Sequence, residues 1–590
     1  MNPFKFRHIL VLFAVLSFTN CTKLDEKVLD EVLGKDASNP VGALTAAYDR
    51  LGEGTFVDNG GMLAMQEYTS DIALLPTRGS DWGDGGKWRA MHEFTWATDN
   101  AVVGANWDNL TNGITKSILA VKSISASNIP LKSLYLAEAR GLLAFYMYTT
   151  LDLFGQVPYR NPNQENAPLE VLQSGQGIDV LIKEVESIIP DLAELRTQNT
   201  HNGRFTKQAA YALLAQMYLN RAVYKDRYNA SSTFNFTEAA LDNNGTDMDR
   251  VIYYSDLLIN SNLFSLESNY FHNFSIDNSG APELIFVVVQ KIDKIRNGDN
   301  DLAYMCVERN QRPSKDNRGT NGSCITPEFY DSWAENHDDP RFQQHYQYSD
   351  GTWFKNDGTD VSVPATTFVA GTTSPWFHFN RGIQVGQQYG PILANGALEM
   401  TSDKRIKVSR LVMEKSTSTP MNFTPELNFD DPKQSILAQN QINVGARCFK
   451  FEYDPGDGNG SSNVDIPLFR LGGIYTMRAE AYLRKGNAAA ALADINRLRT
   501  SRVHEGGPYG TAAGTPISTI NAEILYKEIG FEMYWEMWRR PQMVRFGKLD
   551  LALPRSAKQA TSPFRRVFPI PQTIMEGNKG VFTQNFGYVK

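Results

Sequence analysis

Cysteine is scarce in this sequence, with four in 590 residues and none in a C-x-x-C pair. That excludes a disulfide-built scaffold and the paired-cysteine zinc modules. A basic excess is missing too. With 58 Lys and Arg against 65 Asp and Glu, and a pI near 5.8, the chain has no electrostatic footprint for nucleic acid, and a neutral or weakly charged ligand suits it better. There is no G-x-S-x-G elbow, no H-E-x-x-H and no P-loop, and the eight histidines show no metal spacing, so enzyme readings start with little support. Beyond residue 21 no segment approaches the ~18 apolar residues of a spanning helix, so the mature body is expected to be soluble.

What the chain does have is apolar material: 42% hydrophobic and 11% aromatic residues, enough for a large packed core. Residues 1–20 read as an export signal, with Lys5 and Arg7 ahead of the apolar run Ile9 to Phe18. Phe18-Thr19-Asn20-Cys21 resembles a lipoprotein box, so Cys21 is the expected lipidated N-terminus. The alternative is an uncleaved anchor in which Cys21 is incidental. Thr22-Lys23-Leu24-Asp25-Glu26 then resembles the acidic surface-export tag of such lipoproteins.

Helix-period segments dominate and come in pairs. In 467–502 two apolar stripes flank the turn-forming Gly486-Asn487, and the tetratricopeptide spacing is met by Tyr475, Ala479 and Tyr482 and by Ala491, Ile495 and Leu498. Ala479 and Ala491 stand where two helices must approach closely. A half-repeat at 206–219 places Tyr211, Ala215 and Tyr218 at the same spacing, its partner displaced to Met248–Asn260 by a polar loop. Further candidates lie at 134–154 and at 521–540, the latter holding Trp535 and Trp538 as core. From about 280 to 465 Gly, Asn, Asp, Ser and Thr rise and short β-like runs such as Leu284 to Val289 appear. The expected fold is mainly α: four tetratricopeptide-like helix pairs in a curved scaffold, with loop-rich insertions and short β-hairpins. One domain, 21–590, divides into a helical part (21–280), a loop-rich insertion (281–465) and a second helical part (466–590).

Five segments resemble the SusD/RagB family and run in its order: 137–159, ending in Gly-x-Val-Pro, then 203–219, 474–502, 523–548 and 568–588. The resemblance implies a helical frame of tetratricopeptide-like pairs and a lipid-anchored, outward-facing place at the bacterial outer membrane. It also implies a non-enzymatic role: capturing oligosaccharides and delivering them to a SusC-like TonB-dependent β-barrel transporter, with no cofactor.

Candidate ligand residues come from aromatic groups among turn formers. Trp82, Trp88, Trp96 and Trp107 are four of the nine tryptophans, and 74–96 mixes them with Gly turns, Arg78, Asp81 and Asp84. An indole face stacks on the apolar C–H face of a sugar ring while charged side chains take the hydroxyls. Trp82, between Asp81 and Gly83, reads as a platform; Trp88 reads equally as platform or packing. Trp96 and Trp107 read as pins between loop and frame. Trp376, Arg381 and Tyr389 are further candidates for the same surface, with packing as the alternative. In 454–465 the alternating oxygens of Asp457, Asn459 and Asp465 could suit calcium, although the bidentate Glu of an EF-hand is missing and a solvated turn is the competing reading. Cys306, Cys324 and Cys448 are left over, free or paired. Three rivals to glycan capture stay open: peptide capture within the same family, a secreted glycosidase with two suitably spaced carboxylates, and a scaffold that binds another protein.

Overall fold

Helices begin where the sequence supplies caps. Thr246 and Asp249 form a reciprocal capping box ahead of Asp247–Ile259. Asn487 accepts the Ala490 N–H at 3.1 Å to start Ala488–Ser501. Between that helix and Leu471–Arg484, Gly486 takes φ +79°, a left-handed turn that costs glycine little. The computed structural model describes residues 39–589 apart from 163, 165, 277, 292–299, 313–318, 368–374, 415–417, 432–434 and 455–461. The export signal and Cys21 lie outside the described residues, as do Asp457 and Asn459.

The chain is mainly α, 42% helical, and its helices pack as a row in chain order. Pro40–Asp49 lies against Ala101–Ser125, which pairs with Lys132–Phe154; Ser174–Ile188, Lys207–Lys225 and Asp247–Ile259 follow, and Leu471–Arg484 with Ala488–Ser501 continues the row. The expected pairing at 467–502 is present, with its first residues in a strand. Ala479 and Ala491 are fully buried in one cluster with Ile495, Leu498, Leu525 and Ile529, so a third helix, Ala522–Met533, closes over the pair. The displaced partner of the half-repeat is also present: Tyr254 stacks near Tyr211 and Tyr218 at 6.0 and 6.1 Å. Close approach elsewhere depends on glycine. A Cβ at Gly141 would stand 2.2 Å from the Phe205 ring.

One element departs from expectation. Residues 521–540 are not a single helix: Ala522–Met533 stops, and Arg539–Arg545 starts after a break in which Trp535 and Met537 take φ 64° and 65°. The break turns aromatic rings inward that a continuous helix would splay around its circumference. Trp535 is fully buried and donates to the Leu302 carbonyl at 2.8 Å, and Trp538 donates to Leu468 at 3.1 Å.

Leu284–Val288 pairs antiparallel with Ile466–Arg470, so the stretch between them leaves the helical frame and returns at one place. Within it Arg381–Gln384 joins Gln343–Gln344 and Arg447–Phe449 in a three-stranded sheet. A separate small core gathers Tyr348, Phe354, Val363, Phe377, Ile406 and Val408.

Frame and insertion are joined by buried charge. Arg470 bonds Glu283, Glu532 and Glu536; Arg502 bonds Glu283 and Glu532; Arg341 bonds Asp339, Glu528 and Glu532; and Lys450 donates to Glu536. The Arg470, Arg502 and Glu532 side chains are wholly excluded from solvent. Burial alone would raise the Glu532 carboxyl, yet Arg502, Arg470 and Arg341 hold it well below the usual carboxylate range. No described helix is long and apolar enough to cross a membrane.

Candidate functional site

The segment 77–93 is a succession of turns laid on the helical core. Arg78 and Asp81 exchange two backbone hydrogen bonds, at 2.9 and 3.0 Å, around Gly79 at φ +63°. Trp82 at φ 59°, Asp84 at φ 36°, Gly85 and Gly86 then also take left-handed conformations. For a residue as bulky as Trp82 that conformation costs about 1–3 kcal/mol, and such strain concentrates at functional positions. The helix Lys87–Glu93 begins directly after.

Trp82 is partly buried against the core, and its ring meets Trp88 edge-on with centroids 6.3 Å apart. Trp88 is buried: its indole N–H donates to the exposed Asp84 carboxylate at 2.6 Å, and the Lys87 ammonium lies 4.5 Å over its ring. Trp88 therefore fixes the angle of Trp82. The Trp82 indole N–H is itself screened from solvent and has no hydrogen-bond partner in the structure. A buried donor without an acceptor costs about 1–3 kcal/mol.

Charged groups from distant parts of the chain meet these turns. Asp81 accepts from Arg309 at 3.2 Å, and Arg309 also reaches Glu414 at 3.4 Å. Arg89 donates to Thr77 Oγ1 at 2.7 Å. The Ser435 hydroxyl donates to Glu93 at 3.1 Å, and its carbonyl accepts the Thr77 N–H, which fastens the hairpin Phe429–Asp431 and Ile436–Leu437 beside the turns. Burial pushes the Glu93 carboxyl up to about 7, against the pull of Ser435 and Arg89.

Other expected site residues have structural positions. Arg78 is 2% exposed, and its guanidinium donates to the carbonyls of Gly322, Ile442 and Val444 at 2.7–2.8 Å. It clamps the turns to two remote loops instead of reaching outward. Arg381 is likewise buried, with donors on the carbonyls of Phe449, Lys450 and Phe274. Trp376 is buried against the His378 ring at 3.7 Å. Tyr389 is half-buried against the small core of the insertion, over Gly358, where a Cβ would stand 2.9 Å from its ring. Trp376, Arg381 and Tyr389 thus pack the insertion, while Trp82 and Trp88 belong to the main core. Trp96 and Trp107 are buried pins, as expected.

Of the calcium candidates only Asp465 is described. It is buried, and one of its carboxylate oxygens accepts the Gln290 N–H at 2.7 Å. Among the described residues no group of three or more His, Cys, Asp or Glu is placed to hold a metal ion. Cys306, Cys324 and Cys448 are free and buried, and burial pushes the Cys306 thiol up to about 12. Arg309, Glu414, Glu93 and the hairpin around Ser435 were missed by sequence reasoning. Three of these lie more than 200 positions from Trp82, with no local pattern to link them; Glu93, in the same segment, had a helical position like any surface glutamate.

A row of helix pairs presenting a loop-built aromatic face defines a scaffold class that many families share. The chain belongs to the SusD family: the family model matches residues 282–588. It is 25% identical over 466 residues to the starch-binding protein SusD of Bacteroides thetaiotaomicron, covering 77% of this chain and 72% of that protein. A laminarin-binding SusD-like protein superposes with a TM-score of 0.60 at 18% identity, covering 93% of this chain and 99% of the other. Surface glycan-binding protein A from Bacteroides thetaiotaomicron, in complex with laminarihexaose, gives 0.59 at 16% identity with coverage of 93% and 99%. At these identities the structural likeness establishes the fold.

Proposed function

We propose that this protein captures glycans at the cell surface without cleaving them, using the Trp82 face, and delivers them to a TonB-dependent β-barrel partner in the outer membrane. The observation that carries the reading is the Trp82 ring itself. It is held in a strained left-handed turn, braced by Trp88, and follows directly on Asp81, which pairs with Arg309. An aromatic face with donors and acceptors at its edge is what a sugar ring requires. Relatives named for binding starch and laminarin lend support. Membrane attachment through Cys21 belongs to the same reading, since it supplies an anchor to a chain whose described helices supply none.

Trp82→Ala tests the ligand face. Truncating an aromatic anchor costs about 2 kcal/mol or more, roughly thirtyfold in affinity. Calorimetry or affinity electrophoresis against a panel of oligosaccharides, with free sugar measured afterwards, should show binding by the wild type, loss in the variant and no released sugar. Binding that survives in Trp82→Ala places the site elsewhere. Binding of peptides alone moves the chain to the peptide-capturing reading. Cys21→Ala tests the anchor: in fractionation without the partner transporter, the variant should leave the outer membrane.

A further inference from the structure

We infer that Trp353 and Tyr509 form a second sugar-binding surface, separate from the Trp82 face, that adds avidity for long glycan chains. It supplements the Trp82 face, so its role rests on the reading of that face as the capture site.

A hairpin over 346–354 supplies the first ring. Its arms are joined by hydrogen bonds from the Phe354 N–H to the Tyr346 carbonyl at 2.9 Å and from the Tyr348 N–H to the Thr352 carbonyl at 2.7 Å, and successive side chains along an extended arm point to opposite faces. Phe354 enters the small core of the insertion, which sends Trp353 the other way, onto the loop that follows Ala488–Ser501. There the indole is seated on Gly506 and Gly507, where a Cβ would stand 2.7 Å from its ring at either position. Both glycines take left-handed φ values, +135° and +77°, which other residues rarely adopt. The same loop brings up the second ring. Tyr509 ends the turn Gly507–Tyr509 and stacks on the His504 ring at 4.5 Å and 22°; His504 is buried, with Nε2 2.8 Å from the Asp338 carbonyl. The Tyr509 hydroxyl accepts from the Gln343 side-chain amide at 3.1 Å.

Both rings are backed by protein yet only partly buried, and polar side chains stand beside them. Glu505, next to Gly506, keeps 46% of its side chain exposed while one oxygen accepts from Asn269 at 2.7 Å. Aromatic rings held still beside a carboxylate and an amide offer a sugar an apolar contact and partners for its hydroxyls. Strand order keeps this surface away from Trp82. Ala73–Leu74, ahead of the Trp82 turns, pairs with Cys324–Ile325; Ile325 bridges Ala446, at the start of Arg447–Phe449; Arg381–Gln384 and then Gln343–Gln344 follow. Four strand spacings of about 4.8 Å put roughly 20 Å between the first strand and Gln343. A short oligosaccharide on one surface therefore stays clear of the other, whereas a polymer can engage both, and a second contact made by an already bound chain multiplies its affinity.

Native affinity gels on the full chain test this with laminarin, amylopectin, galactomannan and arabinoxylan, beside calorimetry with the shortest oligosaccharide of each that the wild type binds. Trp353→Ala and Tyr509→Ala should each weaken retardation by at least one polymer by roughly tenfold or more, while affinity for the short oligosaccharide of that polymer stays at the wild-type value. Trp82→Ala should weaken both. Should Trp353→Ala melt early, Tyr509→Ala, in a loop of glycines, carries the comparison. Polymer retardation unchanged in both variants overturns the second surface and leaves the Trp82 reading standing. Equal weakening for polymer and short oligosaccharide, with a wild-type melt, overturns its separateness from the capture site. Short-oligosaccharide binding that survives Trp82→Ala and is lost in Trp353→Ala overturns the Trp82 reading and the auxiliary role together. So does the absence of retardation by every polymer.

Discussion

Arginine–carboxylate pairs and large aromatics occur both at the joint between frame and insertion and on the Trp82 face, yet the two regions use them in opposite ways. At the joint Arg470, Arg502, Glu283 and Glu532 are wholly buried, and each charge has more than one partner. On the face Asp81, Arg309 and Glu414 keep roughly a quarter of their side-chain surface in solvent, and the Trp82 N–H has no partner. Buried charges that each share several opposite charges make a rigid structural joint. Pairs that keep part of their surface in water leave polar atoms within a ligand's reach.

The contrast breaks first if the joint proves dispensable. Arg470→Met leaves Glu283, Glu532 and Glu536 short of a buried partner, and removing one member of such a network should cost about 3–5 kcal/mol, read as a fall in the urea midpoint. Acid should weaken the same joint. Because Glu532 and Glu283 titrate below their ordinary range, their stabilisation is present above about pH 4.5 and is lost as pH falls through the depressed folded-state values. A thermal-melt series that stays flat from pH 5 to pH 3 would contradict the network's role.

A smaller effect is expected in the frame. Ala479→Leu puts extra volume between helices that meet at two fully buried alanines, which should cost about 1–3 kcal/mol. Trp82→Ala should move the melt far less than either, although it removes binding. A large melting drop for Trp82→Ala with binding intact would erase the distinction between the two regions.

The finest test lies between them. Glu67 accepts the Met537 N–H at 2.7 Å in the break after Ala522–Met533, and burial pushes its carboxyl up to about 8. A carboxyl raised in the folded state contributes stability that is whole below its unfolded pKa and lost as pH rises through the folded value. Glu67→Gln keeps an acceptor for Met537 and removes the titration. Its stability relative to wild type should therefore climb between about pH 5 and pH 8, by roughly 1 kcal/mol for each unit. Parallel pH profiles for the two proteins would show that Glu67 does not titrate there.

The helix pairs were legible because their signal is local. Tyr475, Ala479 and Ala491 recur at helical spacing, Gly486-Asn487 marks the reversal, and even the displaced partner at 247–259 kept its stripe. Trp82 could be singled out because a tryptophan among turn formers is locally unusual. Trp535 and Met537 misled the reading, since an apolar run looks helical unless tertiary packing favours left-handed residues over another turn of helix.

By itself, then, the sequence determined the periodic elements, the position of the aromatic turns and the family pattern, all of which depend on neighbours a few residues away. Only the tertiary structure decided which charges are architectural and which face outward. Arg78 and Arg309 look alike in sequence; one ends among three backbone carbonyls and the other between two partly exposed carboxylates. That choice depends on contacts with loops more than 200 residues away for Arg78 and on the turns and Glu414 for Arg309. No local pattern encodes it, because a guanidinium is stable wherever the folded chain supplies it with acceptors.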